Sequence, residues 1–460
     1  MPWPGALRHR GFRRLSLALV LSSFGDWLGF LATTALATQL VEGFGAKSFA
    51  VGGVLAFRLL PAVLLAPVVG VFADRFDRRL TMVVSDVVRF GLFLSIPIVG
   101  SLLWLIVASA LVEVLSLVWI PAKEASVPHL AKDRLESANQ ISLFVTYGSA
   151  PVAALVFGVL GLLSGATGQS AANLGMYINA ATFLFAAAQV FRIREIPSRT
   201  EAPGSAGETA PTVVSSIRDG LTFARTSPVV RGLLVGMLGA MTGAGVVIGN
   251  GSQFVATVLA GGEAAYALLF GSVFVGIASG VALGPRLLSG VSRRRALGPV
   301  IVGAGAMLVF MSLVPVLALV VVAVLLLGAL AGTAYVMGLT MLGAEVADDV
   351  RGRTFGLVNA LMRIDLLLVV TVAPTLAAAI GRPSVGPVDV NGISVTILLG
   401  GLFAVVVGVL CFRTMNDQPG VPLRRDLAGL LHRRGAAGAT QAADPLSPSS
   451  SGATLPGDEP

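Results

Sequence analysis

Asp26, Arg58, Arg89 and Glu113 are four ionisable side chains set deep inside long apolar stretches in the first third of the chain. Arg363 and Asp365 do the same near the end, and Asp86 accompanies Arg89 one helical turn away. Burial and an arginine neighbour pull a carboxylate's proton affinity in opposite directions. A bound molecule or a helix movement that alters this balance makes the acid take up or release a proton. Asp26 and Glu113, with Arg58 and Arg89 as counter-charges, are the groups placed for that chemistry. A static alternative fits the same residues: acids and arginines that neutralise one another and tie helices together. Asp86 fits this structural role better. Arg363 and Asp365 are two positions apart and point to different helix faces; of the two, Asp365 is expected to face an internal cavity. Tyr147, Asn250, Gln253 and Asn359 suit either a cavity wall or hydrogen bonds between helices.

What must position these groups is set by composition. Of 460 residues 55% are hydrophobic and 12% charged, with a mean hydropathy of +0.86. Soluble chains carry about 25% charged residues, so most of this chain does not face water. About 20 apolar residues in a helix cross the ~30 Å core of a bilayer. Twelve such stretches are predicted, at 15–41, 49–72, 80–99, 102–121, 138–163, 173–192, 229–259, 264–288, 297–315, 317–342, 354–380 and 393–412. The expected fold is an all-α membrane protein whose twelve transmembrane helices form two six-helix bundles. Residues 1–192 make the first bundle and 229–413 the second. Residues 193–228 make a linker, and 414–460 a polar, disordered tail. The linker holds a Pro/Gly/Ser/Thr-rich stretch at 197–211, then Ile217, Leu221 and Ala224, with Arg218 and Arg225 on other faces. This predicts a short amphipathic helix lying on the membrane surface. Counted from these spans, Asp26, Arg58, Arg89 and Glu113 all fall near mid-membrane, where a charge costs about 2.5–3.5 kcal/mol on insertion scales.

Lysine and arginine fix the sides. With a cytoplasmic N-terminus, 27 of the 32 basic residues lie in cytoplasmic segments, Lys47 and Arg382 lie outside, and Arg58, Arg89 and Arg363 lie within spans. Both termini are therefore expected in the cytoplasm. The net charge of +8 is topology, not a nucleic-acid surface. A single cysteine, Cys411, excludes a disulfide framework, and His9, His129 and His432 all fall outside the spans, so no metal centre is expected. The three lysines, Lys47, Lys123 and Lys132, stand in no phosphate-binding loop. No cofactor is expected, and the chain does not read as an enzyme or as an ATP-driven pump. Gly243-Ala-Gly245 lies inside an apolar span with no strand before it and reads as helix packing.

Between spans two and three stands Gly70-Val-Phe-Ala-Asp74-Arg75-Phe-Asp77-Arg78-Arg79. It resembles the G-x-x-x-D-R-x-x-R-R loop of the major facilitator superfamily, between the same two spans and on the same side. Gly70 permits close helix approach, and Arg75, Arg78 and Arg79 suit an anionic membrane face. The resemblance implies that Asp74 latches the cytoplasmic side against the start of span eleven, here Arg351-Gly-Arg353-Thr354. The matching loop of the second half runs from Gly284 to Arg293-Arg294-Arg295; it keeps the glycine and the basic cluster and lacks the acid.

Ser23-Phe-Gly25-Asp26-Trp27, Arg58-Leu-Leu-Pro61, Ser85-Asp86-Val-Val-Arg89, Pro121 to Pro128, and Leu135 to Gln140 resemble a narrower branch. That branch holds the drug exporters related to macrolide and siderophore efflux proteins. These segments are also similar to the membrane part carried by some actinobacterial thymidylate kinases. Gly148-Ser-Ala-Pro151 with Gly158 is a partial match to the Gly/Pro-rich pattern of proton antiporters, and Glu113 stands in a span where they often have an arginine.

The resemblance implies secondary active transport by alternating access: proton-coupled export of an amphipathic small molecule, by a monomer in the plasma membrane. The expected partners are a small-molecule substrate, protons and the lipid bilayer, with no nucleic acid. The likeness to the kinase-fused parts leaves a second function open, a transport-inactive anchor or scaffold for a cytoplasmic partner.

Overall fold

The computed structural model of the chain describes residues 8–73, 77–131, 135–167, 170–196, 228–288, 291–345, 348–382, 384–385, 388–389, 391–415 and 417. Hydrocarbon offers backbone N–H and C=O groups no partner, so apolar runs of this length satisfy them internally as helices. Twelve helices result: α1 Arg10–Gln39, α2 Phe44–Ala73, α3 Arg78–Val99, α4 Leu102–Ala131, α5 Leu135–Thr167, α6 Ala171–Phe191, α7 Pro228–Thr257, α8 Glu263–Leu287, α9 Arg293–Leu313, α10 Leu317–Glu345, α11 Asp348–Ile380 and α12 Gly392–Met415. All twelve contain a stretch long and apolar enough to cross a membrane. Large apolar side chains such as Leu103 and Leu162 turn outward at 72% and 75% exposure, which only a lipid environment makes favourable.

Local chemistry marks the breaks. Asp77 caps α3, its carboxylate accepting the Leu80 N–H at 2.8 Å, and Gly100 ends that helix in the left-handed conformation. Ser170 caps α6 through the Asn173 N–H. Residues 314–316, around Pro315, separate α9 from α10. One feature departs from the all-helical expectation. Two strands of two residues each, β1 (Ser384–Val385) and β2 (Val388–Asp389), pair antiparallel between α11 and α12. The amphipathic helix expected near 217–225 and nearly all of the tail lie outside the described residues.

Packing reveals a duplication. In the first half α1 packs on α5 and α6, α3 on α4 and α6, and α2 on α4. Shifting every number by six gives the same contacts in the second half: α7 on α11 and α12, α9 on α10 and α12, and α8 on α10. The main contacts between halves are α2 with α11 and α5 with α8, and the same shift exchanges them. Two six-helix bundles are thus related by a pseudo-twofold axis along the membrane normal. An even number of crossings puts both ends of the bundle on one face, called here the terminal face. The opposite face, bearing the α1–α2 turn, is the loop face.

Two close fits hold the bundles. In the second half α8 and α10 approach until their backbones touch at Gly280, where a Cβ would run into the carbonyl of Ala329. In the first half Arg89 and Asp86, 2% and 0% exposed, form an ion pair at 3.3 Å within α3. The Asp86 carboxylate also accepts the Trp119 indole N–H of α4 at 3.2 Å. The Arg89 guanidinium lies over the rings of Trp119 and of Phe183 in α6. One buried pair therefore joins three helices.

Gly280→Val is expected to prevent the α8–α10 approach at a cost of about 1–3 kcal/mol or more, read as a lower melting temperature of the purified protein. Arg89→Met leaves a buried carboxylate without its partner, costing about 3–5 kcal/mol. Asp86→Leu added to it should restore most of the melting temperature. An Arg89→Met protein that melts like the parent would remove the pair from the list of structural ties.

Candidate functional site

Between the two halves lies a cavity of about 920 Å³, at the upper end of sizes that hold drug-like molecules. Its polar wall carries Asp26 of α1, Arg58 of α2, Glu113 of α4 and Arg363 of α11. Its apolar wall includes Trp27, Phe30, Tyr266, Phe270 and Phe274. Thr146 and Tyr147 of α5 lie beside them.

The cavity ends towards the loop face at a seam of side chains from α1 and α8. Trp27 meets Phe274 edge-on with centroids 4.6 Å apart, and one turn further Phe30 stacks on Phe270 at 5.5 Å. Next, the hydroxyls of Thr34 and Tyr266 share a hydrogen bond of 3.1 Å. At the surface the Gln39 amide donates to Glu263 at 3.0 Å, while the second Glu263 oxygen accepts the Ala171 N–H at the start of α6. The positive end of α6 favours that carboxylate. From Trp27 to Gln39 the seam runs about 18 Å along α1. The backbones of α1 and α8 are not among the closely packed pairs, so this contact is made by long side chains. Beside it, α5 and α8 touch backbone to backbone. A Cβ on Gly161 would lie 3.0 Å from the Ala264 nitrogen.

Trp27 is fixed by its ring N–H, which donates to the Thr146 carbonyl at 2.7 Å. Thr146 lies one turn before Pro151, whose missing N–H interrupts the helical ladder of α5. On α11, Pro374 packs against Gly52 of α2 and Gly249 of α7. These named contacts between halves all lie from mid-membrane to the loop face. Towards the terminal face the cavity wall is carried by Ile120, Tyr147 and Arg363, all exposed. The named contacts thus close the cavity towards the loop face, and its described wall residues towards the terminal face are exposed.

Of the groups singled out in the sequence, Asp26, Arg58 and Glu113 come together in this wall. Arg89 pairs with Asp86 and Lys123 with Glu124, and neither Asp26 nor Glu113 makes an ion pair among the described residues. The expected neutralising contacts of Asp26 and Glu113 with Arg58 and Arg89 are therefore not made. Arg58 instead lies over the Phe30 ring, 5.7 Å from its centre.

Arg89 does not line the cavity. It is turned into the α3–α4–α6 core, where Asp86 answers its charge. Of the two cavity candidates in α11, Arg363 faces the cavity, whereas Asp365, the one favoured in the sequence, is turned to α7 and accepts the Thr242 hydroxyl at 3.2 Å. Asn250 and Gln253 are buried at 1% and 2% and stay out of the wall, and Tyr147 joins it.

Gly70 is in the last turn of α2, and Arg78 opens α3. The Arg79 guanidinium lies over the Phe191 ring at 5.7 Å. Asp74, Arg75 and the side chains of Arg351, Arg353 and Asn359 lie outside the described residues. Sequence reasoning missed the seam. Its signal was the three- and four-residue spacing of Trp27, Phe30 and Thr34 in α1 and of Glu263, Tyr266, Phe270 and Phe274 in α8.

Comparison with known proteins agrees with this architecture. The chain is 28% identical over 233 residues to an uncharacterized MFS-type transporter, YfiS, of Bacillus subtilis (strain 168). That alignment covers 50% of this chain, and the chain spans only about half, 52%, of that relative's length. The nucleoside transporter NupG superposes with a TM-score of 0.64 at 14% identity, covering 88% of this chain and 99% of that one. A bacterial homolog of the human lysosomal transporter Spinster, inward-facing and unoccupied, gives 0.62 at 17% identity, covering 89% and 99%. At these identities the structures establish the fold alone. A family model described as transmembrane secretion effector matches residues 2–411. With twelve spans in two related bundles around a central cavity, the chain belongs to that family, within the major facilitator superfamily.

Proposed function

We propose that this transporter exports an amphipathic small molecule of the drug, macrolide or siderophore class in exchange for protons. The observation that carries this reading is the cavity itself. It sets two carboxylates that make no ion pair within the described residues, Asp26 and Glu113, against a wall of aromatic rings. The rings suit the apolar body of such a molecule and the four charges its polar part. Carboxylates that line a cavity beside arginines are placed to exchange protons with whichever face the cavity opens to.

The positive-inside distribution supports a cytoplasmic terminal face, with both termini inside a plasma membrane, and the closed seam with an exposed terminal-face wall supports an inward-facing reading. A rocking of the two halves would open the seam and close the terminal face. The Gly70–Arg79 loop, with Asp74 as its acid, serves as the latch of that closure. A monomer holds the whole cavity.

Export is tested in cells stripped of their own exporters, loaded with lipophilic dyes, macrolides or siderophore-like compounds, with and without a protonophore. The expected result is extrusion that stops when the proton gradient is dissipated. Asp26→Asn should abolish proton movement coupled to substrate, and unchanged coupling would assign Asp26 to a structural role. Asp74→Asn should slow extrusion without changing the amount of protein in the membrane; normal turnover would count against the latch. A correctly inserted parent protein that moves none of these compounds, and that tolerates loss of both Asp26 and Glu113, would favour a scaffold.

A further inference from the structure

The charges of the cavity do not balance within either half. The first half presents two acids, Asp26 and Glu113, and one arginine, Arg58. Arg89 is close enough to act on Glu113, but Asp86 already answers it. One negative charge is left over. The second half presents Arg363 alone, because Asp365 points to Thr242. One positive charge is left over there. The charges acting on Glu113 are Arg58, Asp26 and Arg89 from its own half and Arg363 from across the cavity.

The two surplus charges lie at similar depth. Glu113 is about 27 Å along α4 from its terminal-face end, and Arg363 about 22 Å along α11. Neither makes an ion pair or hydrogen bond among the described residues, and Arg363 is exposed. With the terminal face open, water in the cavity solvates both. When that face closes and the water leaves, each would be an uncompensated charge in a low-dielectric site, which is strongly unfavourable. Contact between them removes both penalties at once.

We propose that Glu113 and Arg363 form the inner gate: an ion pair between the halves that is made when the terminal face closes and is broken by a proton on Glu113. A protonated Glu113 leaves Arg363 alone in the closing site, so protonation holds the terminal face open. Release of the proton permits closure. In the exchange cycle, protons taken up from the outer solution reopen the cavity to the cytoplasm, are released there, and leave a charged Glu113 able to close behind a bound substrate. This direction rests on the proposed proton-driven export; the pairing itself needs no substrate.

The test uses the purified full chain with Cys411→Ala and spin labels on Arg194→Cys and Thr340→Cys, one exposed site on each half towards the terminal face. The distance distribution gives the ratio of closed to open protein as a function of pH. Raising the pH should increase the closed fraction in the parent. At high pH Glu113→Gln and Arg363→Gln should each lower the closed-to-open ratio roughly tenfold, within the range usual for coupled sites. Glu113→Gln should flatten the pH response, whereas Arg363→Gln should reverse it, because only a protonated Glu113 then closes without a lone charge. Combining them should restore much of the ratio, because no lone charge is then left in the closing site. The exchange Glu113→Arg with Arg363→Glu should recover much of the closed state that either single reversal loses.

Additive effects of the two neutral variants, or an intact pH response in Glu113→Gln, would overturn the gate. Its failure is distinguishable from failure of the export reading. Coupled variants in a protein that moves no substrate against protons retain the gate and reject export. Proton-driven export with uncoupled variants does the reverse.

Discussion

Hydrocarbon does not tolerate a lone charge, and the placement of the ionisable groups deep within the described spans follows from that. Two solutions are used. Asp86 and Arg89 are sealed together, with Trp119 and Phe183 around them, and the neutral unit binds α3 to α4 and α6. Asp26, Arg58, Glu113 and Arg363 are left apart and exposed to a cavity. The first arrangement is rigid because neither partner has an alternative. The second leaves its four charges facing one cavity, where Asp26, Glu113 and Arg363 have no ion-pair partner among the described residues. Structure and function are thus separated by the difference between a pair that is closed off and charges that are not.

Helix α1 brings these two worlds into contact. One side of it is packed into the first bundle against α5 and α6. Another carries Asp26 into the cavity, and Trp27, Phe30 and Thr34 onto α8 of the second bundle. Asp26 and Trp27 are adjacent, so the charged site and the inner end of the seam move as parts of one rigid helix.

Much of this was legible in the chain. Apolar length and basic residues report bilayer crossing directly, so all twelve helices and even the break at Pro315 could be read from single residues. Depth was legible too, because rise per residue is constant; Asp26, Arg58 and Glu113 meet at one level for that reason. Direction around the helix axis was not. Helices that are apolar on every side give no moment to orient them, and Arg89 and Asp365 were therefore expected in a cavity wall that they do not join. The aromatic residues of the seam are indistinguishable in sequence from lipid-facing ones until the partner helix is known. The hairpin at 384–389 is shorter than any alternation that would announce it.

The seam differs in kind from the contacts beside it. Where α5 meets α8 the backbones themselves touch at Gly161 and Ala264, and nothing can part there without moving whole helices. Between α1 and α8 only side-chain ends meet, rung by rung, from Trp27 and Phe274 out to Gln39 and Glu263. Such a barrier is divisible. Trimming one rung weakens it by the worth of a single contact and leaves the bundles intact, so the tightness of the seal against ion leak is free to drift under selection, one side chain at a time, in a scaffold that does not have to refold.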